Sequence, residues 1–211
     1  MERTTNPKQM DLTAHLAFAK VYPAIAEHIV KKYGITSGRC LDAGSGPGSL
    51  AIALAGITGL TICSLDKNPE MSKIAQKNIN EAGLDKRISP VTADICEVPF
   101  DNDYFDIIVS RGSIFFWEDK VSGIKDLYRT LKPGGVLYCG GGMGNEDNMR
   151  EAEEIIMTDD RFSDMRDFWQ GRKTRRNGAE TRDSFENILA EAGIQGNVVN
   201  ECGGTWIEII K

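Results

Sequence analysis

The apolar positions change period several times along the chain, and each change marks an element. Up to Tyr33 the pattern is helical. Pro23 sits in the first turn of a second helix, Ile25, Ile29, Val30 and Tyr33 share one side, and Gly34 stops it. Short apolar runs then alternate with helical periods. The spacing predicts a strand over 39–43, a helix over 49–57 and a strand over 60–66. A helix follows, opened by Asn68 and Pro69, with Met71, Ile74, Ala75, Ile79 and Ala82 on one face and Gly83 at its end. Strands are predicted over 87–92 and 105–110. Val121, Ile124, Leu127, Tyr128 and Leu131 mark another helix, which Pro133-Gly134-Gly135 breaks before a strand over 136–139.

Strands alternating with helices imply right-handed βαβ units and a largely parallel sheet. The end of the chain departs from that rhythm. A helix over 182–192 precedes two short β runs, 197–200 and 205–210, across Gly203-Gly204, which predict an antiparallel hairpin. Residues 143–180 stand outside the alternation. Met149, Ala152, Ile155 and Ile156 suggest one amphipathic helix, and 161–170 a second with Phe162, Met165 and Trp169 near one face. A long insertion at the carboxyl edge of a sheet suits a lid over a ligand. The expected organisation is a helical cap over 1–34 and a main domain over 35–211, with 143–180 as a helical substrate lid.

Composition narrows the class. The 211 residues are 41% hydrophobic and 27% charged, an ordinary globular mix with enough chain to bury a core unaided. Cys40, Cys63, Cys96, Cys139 and Cys202 form no C-x-x-C pair and mostly sit in apolar runs, which argues for reduced, buried thiols rather than a zinc site or a disulfide framework. The start lacks a signal-peptide core, and no apolar run approaches the roughly 20 residues of a membrane helix, so a cytoplasmic protein without a membrane partner is expected. A net charge of −6 argues against a nucleic-acid substrate, whose phosphates demand cations.

The strongest local signal is Leu41-Asp42-Ala43-Gly44-Ser45-Gly46-Pro47-Gly48-Ser49, between a strand and a helix. Glycines let the backbone turn sharply and approach a ligand, and a helix start presents free amides. By itself the loop could hold a dinucleotide, a phosphate or nothing. Ser49 stands where the dinucleotide fingerprint needs Gly or Ala, and no Gly-Lys-Ser/Thr follows. Asp42 would repel a pyrophosphate and suits a ligand carrying an ammonium group. Asp66, at the end of the next strand and about 20 residues on, can accept bonds from ribose hydroxyls, with Met71 beyond it as a cover for adenine. Asp94, at the end of the third strand, can accept from an adenine amino group, with Ala93 and Ile95 lining the ring.

Together these residues resemble the class I S-adenosylmethionine-dependent methyltransferases, and in particular the small-molecule branch that includes the ubiquinone and menaquinone biosynthesis enzymes. The resemblance covers about residues 34–211 and rests on LDAGSGPGS, the acid in SLDKNPEM, TADICEVPF, FDIIVSRGSIFFWED and LKPGG. It implies a Rossmann-like α/β fold in three layers, with a seven-stranded, mostly parallel sheet whose last strand is antiparallel. It also implies S-adenosyl-L-methionine as cofactor. Asp42, Ala43, Gly44, Ser45, Gly46 and Gly48 would surround the methionine part. Asp66 would hold the ribose with Lys67, Asn68 and Met71 beside it, and Ala93, Asp94 and Ile95 would hold adenine. Ser110 and Arg111 would face the transferring methyl, and Tyr22 would close the site from the N-terminal segment. The N/D-P-P-Y/F tetrapeptide of many adenine and glutamine-amide methyltransferases is missing from the sequence.

The expected reaction is in-line methyl transfer to a small molecule, without a metal, by a monomer or homodimer. Phe115, Phe116, Trp117 and Trp169 are aromatic candidates near a cationic centre, with Phe115 and Trp117 placed on the substrate. His15, His28, Glu118 and Asp119 are the base candidates, and none stands out. The basic run 172–176, with Arg175 and Arg176, is an expected clamp for an anionic substrate. Rival readings are a cofactor-binding sensor, an RNA or protein methyltransferase, and an NAD-dependent oxidoreductase, against which Ser49 and the terminal hairpin speak.

Overall fold

A computed structural model describes residues 6–167, 169–170 and 178–211, with 178–180 as backbone only. Helix α1 (Pro7–His15) starts where the Asn6 side chain accepts from the Lys8 and Gln9 amides, with Pro7 in its first turn. Helix α2 (Val21–Tyr33) stops at Gly34, whose φ of +67° gives the left-handed cap. The alternating region runs β1 (Ser37–Ala43), α3 (Ser49–Ile57), β2 (Gly59–Asp66), α4 (Pro69–Glu81), β3 (Ile88–Thr92), β4 (Phe105–Arg111), α5 (Lys120–Thr130) and β5 (Leu131–Gly142). Asn68 caps α4 by accepting from Glu70, and Asp119 caps α5 by accepting from Ser122. Helix α6 (Glu146–Thr158) follows, then a 3-10 segment (Asp160–Met165), α7 (Gly178–Ala192) and the strands β6 (Asn197–Glu201) and β7 (Gly204–Ile210).

The seven strands lie in the order β3-β2-β1-β4-β5-β7-β6. The first five are mutually parallel. β7 pairs antiparallel with both β5 and β6, as the hairpin pattern predicts. Side chains alternate across the sheet and feed two cores. One holds Cys40, Ile62, Ile107, Val109, Tyr138 and Trp206 against α2, α3 and α4. The other holds Leu41, Leu65, Ile108, Leu137 and Ile207 against α5 and α7. The result is the expected three-layer arrangement. Ala152 and Ile156 of α6, with Phe162 and Trp169, join the first core beside Ala17, Val21 and Ile25. The two N-terminal helices and the segment after β5 therefore pack as one helical layer.

Two expectations need correction. Pro133-Gly134-Gly135 does not separate a helix from a short strand. β5 begins at Leu131, and the triplet forms an irregularity inside it, where the register with β4 jumps from Phe105↔Leu131 to Ile107↔Val136. The terminal turn is Cys202-Gly203, not Gly203-Gly204. Cys202 (φ 48°) and Gly203 (φ 67°) both adopt the left-handed conformation of a two-residue hairpin turn, and Gly204 pairs with Glu201. A non-glycine residue at the first turn position hid the register.

Candidate functional site

Parallel neighbours bring the ends of β1, β2 and β3 to one edge of the sheet, and short bonds tie them into a continuous rim. The Ser45 amide donates to the Leu65 carbonyl (2.9 Å), the Gly46 amide to Asp66 Oδ2 (2.9 Å), the Asn68 amide to Asp66 Oδ1 (2.9 Å), and the Ala93 amide to the Asp66 carbonyl (3.2 Å). Gly44, Gly46 and Gly48 all take positive φ, at 68°, 54° and 82°, which side-chain-bearing residues rarely adopt. Asp66 thus buttresses the loop while staying partly open. Burial raises its pKa, against the Asn68 and Gly46 amides and the Lys67 charge, which favour the carboxylate. Each oxygen accepts one amide, and a carboxylate oxygen has a second lone pair.

Asp42 lies elsewhere than expected. It is 1% exposed, sealed beneath the loop, and Oδ2 accepts from the Ala51 amide (3.1 Å) in the first turn of α3. Burial pushes its pKa up to about 7, opposed by the Ala51 bond and reinforced by the Asp66 charge. In this arrangement it can act on a bound cation only across the loop.

The other expected residues lie in several different surroundings. Ser45, Gly46, Gly48, Ala93 and Asp94 belong to the rim, whereas the side chains of Ala43 and Ile95 are buried in the second core beneath it. The exposed Asp94 turns back on the chain to accept from the Cys96 amide. Lys67 points outward to Glu118 (3.1 Å), a pairing that raises its pKa. Met71 is 2% exposed and packs as core. Ser110 is fully buried and shares a 2.6 Å hydrogen bond with Ser113, whose hydroxyl reaches the Ala43 carbonyl and accepts from the Trp117 indole. Trp117 is consequently a buried prop for the loop, 8% exposed, rather than a free aromatic face. Phe115 is half exposed and stacks on Phe185. Arg175 and Arg176 lie outside the described residues. Of the base candidates, His15 bonds the Asp11 carbonyl on the exposed side of α1, and His28 pairs with Glu201 at 3.2 Å.

Arg111 turns to the N-terminal helices. Its guanidinium lies over Phe18 (4.6 Å) and Tyr22 (5.1 Å) and donates to the Gly142 carbonyl. Sequence reasoning missed Met10, Asn78, Phe18 and Ser113. Asn78 donates to both Asp11 and the Pro47 carbonyl, pinning α1 to the loop, and the Met10 methyl lies 3.7 Å from a β-carbon built on Gly46. A buried asparagine on the apolar stripe of α4 was the one available signal.

The residues suit a nucleoside carrying positive charge. Carboxylates and backbone amides line the rim, and beside it a β-carbon built on Gly112 would meet nothing within 4 Å. Among the described residues, no group of His, Cys, Asp and Glu could hold a metal, and no helix is long and apolar enough to cross a membrane.

Comparison with known proteins agrees. Residues 41–139 match the family described as a methyltransferase domain. The ubiquinone/menaquinone biosynthesis C-methyltransferase of Geobacter sp. (strain M21) is 32% identical over 111 residues, 51% of this chain and 47% of that protein, so the chain matches about half the length of such relatives. Phosphoethanolamine N-methyltransferase 2 of Haemonchus contortus, solved with S-adenosyl-L-methionine, is 26% identical with a TM-score of 0.58, over 83% of this chain and 38% of that one. A candidate S-adenosyl-L-methionine-dependent methyltransferase of Methanococcus maripaludis is 38% identical with a TM-score of 0.89, over 100% of this chain and 97% of that one. The chain belongs to the S-adenosylmethionine-dependent methyltransferase family.

Proposed function

We propose that the chain moves a methyl group from S-adenosylmethionine to a small-molecule acceptor, and that the rim from Gly44 to Ile95 holds the donor. The observation that carries this reading is the place of Asp66, which fixes the loop through Gly46 and remains partly exposed at the end of β2. In this reading Asp66 takes the ribose hydroxyls, and Ala93, Asp94 and Ile95 take adenine. Gly44 and Ser45 present the backbone to the methionine part, above the buried Asp42. The bound sulfonium supplies an electrophilic methyl carbon with an activated thioether leaving group, so the transfer needs no metal. The protein's work is to align the acceptor and exclude water. Helices α1, α2 and α6, with Phe162 and Trp169, pack on one face of the sheet with α1 tied to the loop through Asn78, and suit that exclusion.

The test is calorimetric titration with S-adenosylmethionine, S-adenosylhomocysteine and NAD, followed by a radiolabelled methyl-transfer screen against small-molecule extracts. Binding of the first two without NAD, then label in a small product, is expected. No affinity for either sulfur nucleoside would sink the reading. Binding without transfer to any acceptor would point to a sensor.

A further inference from the structure

Arg111 ends β4 at the rim, and its side chain is fixed from several sides. Nε and Nη2 donate to the Gly142 carbonyl at 3.2 and 3.1 Å, Nη2 reaches Met143 Sδ at 3.3 Å, and Nη1 approaches the Tyr22 hydroxyl at 3.4 Å. The rings of Phe18 and Tyr22 lie against the guanidinium. Among the described residues no carboxylate stands within ion-pair distance of it, whereas Arg129, Arg161 and Arg166 each have an acidic partner. A guanidinium carries five N–H donors. These contacts leave an Nη1 N–H without a protein acceptor among the described residues, next to a tyrosine hydroxyl that can also donate.

A partly buried cation, held rigid, set against aromatics and lacking a counter-ion among the described residues, is suited to receive one. We infer that Arg111 and Tyr22 dock an oxyanion of the methyl acceptor, a carboxylate or a phosphate, through Nη1 and the phenolic hydroxyl. The inference rests on the methyltransferase reading and names its substrate class. It replaces the expectation that Arg111 and Tyr22 serve the cofactor, and it is independent of Arg175 and Arg176.

The experiment loads the chain with S-adenosylhomocysteine and titrates benzoate, phenyl phosphate and the neutral benzamide by calorimetry. At least one of the two anions is expected to bind about tenfold tighter than benzamide, and which of them does so identifies the oxyanion. Arg111→Lys keeps the charge but loses the planar fork, and is expected to weaken the preferred anion about tenfold. Tyr22→Phe keeps the ring and is expected to weaken it about threefold, which serves as the readout should the arginine variant fold poorly. Equal affinity for anions and benzamide overturns the inference. So does a loss of S-adenosylhomocysteine affinity in either variant that matches the loss for the anion. Failure of the wild-type chain to bind S-adenosylhomocysteine fails the underlying methyltransferase reading instead, and is seen before any anion is added.

Discussion

Gly44→Ala isolates the packing behind the glycine loop. At φ +68° an alanine pays the left-handed penalty of about 1–2 kcal/mol. A β-carbon there would also stand 2.4 Å from both Cβ and Oγ of Ser113. Ser113 cannot swing aside freely, because its hydroxyl is engaged with the Ala43 carbonyl, Ser110 and Trp117. Relieving that overlap costs about 1–3 kcal/mol more. The total of about 2–5 kcal/mol corresponds to a fall in melting temperature of roughly 4–20 °C for a chain of this size. Gly46→Ala makes a control. Its φ is +54°, but the nearest atom is the Met10 methyl at 3.7 Å, so only the backbone penalty of about 1–2 kcal/mol applies. Ser113→Gly removes both clashing atoms, so the Gly44→Ala/Ser113→Gly pair should show a favourable coupling of at least about 1 kcal/mol in a double-mutant cycle. Denaturant unfolding of the wild type and these four variants measures both effects. Equal losses for the two glycine variants, or strict additivity, would refute the steric argument.

Three further outcomes follow from the geometry. Asp66→Asn offers one acceptor oxygen where two amides now bind and sets an NH2 against a donor, so cofactor affinity should fall at least about tenfold in calorimetry; unchanged affinity would remove Asp66 from the site. Asp42 has a folded pKa raised to about 7 by burial, so the folded state holds the extra proton and stability should decline as pH rises from about 4 to 7. Asp42→Asn should flatten that decline in unfolding curves at pH 5 and 8, and an unchanged slope would contradict the burial argument. Lys32 bridges Glu201 (2.5 Å) and Glu208 (2.8 Å). Burial pushes both carboxyls up, but Lys32 and neighbouring bonds hold them below their ordinary range, so their contribution is present above pH ~4.5 and lost as pH falls through the folded values. Lys32→Met should destabilise by about 1–3 kcal/mol at pH 7 and by less at pH 4, and a pH-independent difference would argue against ion pairing.

Much of this was legible in the sequence, for local reasons. Asn68-Pro69 announced a helix start because capping is a property of two or three adjacent residues. The helix over 49–57 matched residue for residue because its apolar stripe runs unbroken from the glycine loop. The order of Asp66 and Asp94 after the loop put both at or just past the ends of neighbouring strands, because parallel strands put successive carboxyl ends on one edge. What could not be read depends on contacts distant in sequence. Nothing near Asp42 says that the loop folds over it, and nothing near Arg111 says that Phe18 and Tyr22 come to meet it. Pro133-Gly134-Gly135 looked like a stop because its local chemistry is that of a turn, and only the neighbouring strand turns it into a bulge.

β7 lies inside the sheet, between β5 and β6, although both precede it in the chain. During synthesis, therefore, Val136–Gly142 of β5 waits with one flank of peptide groups unsatisfied until residues 204–210 leave the ribosome. Over that interval the nascent chain carries an apolar edge on which a second chain could template itself. Dependence on a chaperone, or inclusion bodies when translation is fast, is the practical signature to look for, and slowing elongation is the natural remedy.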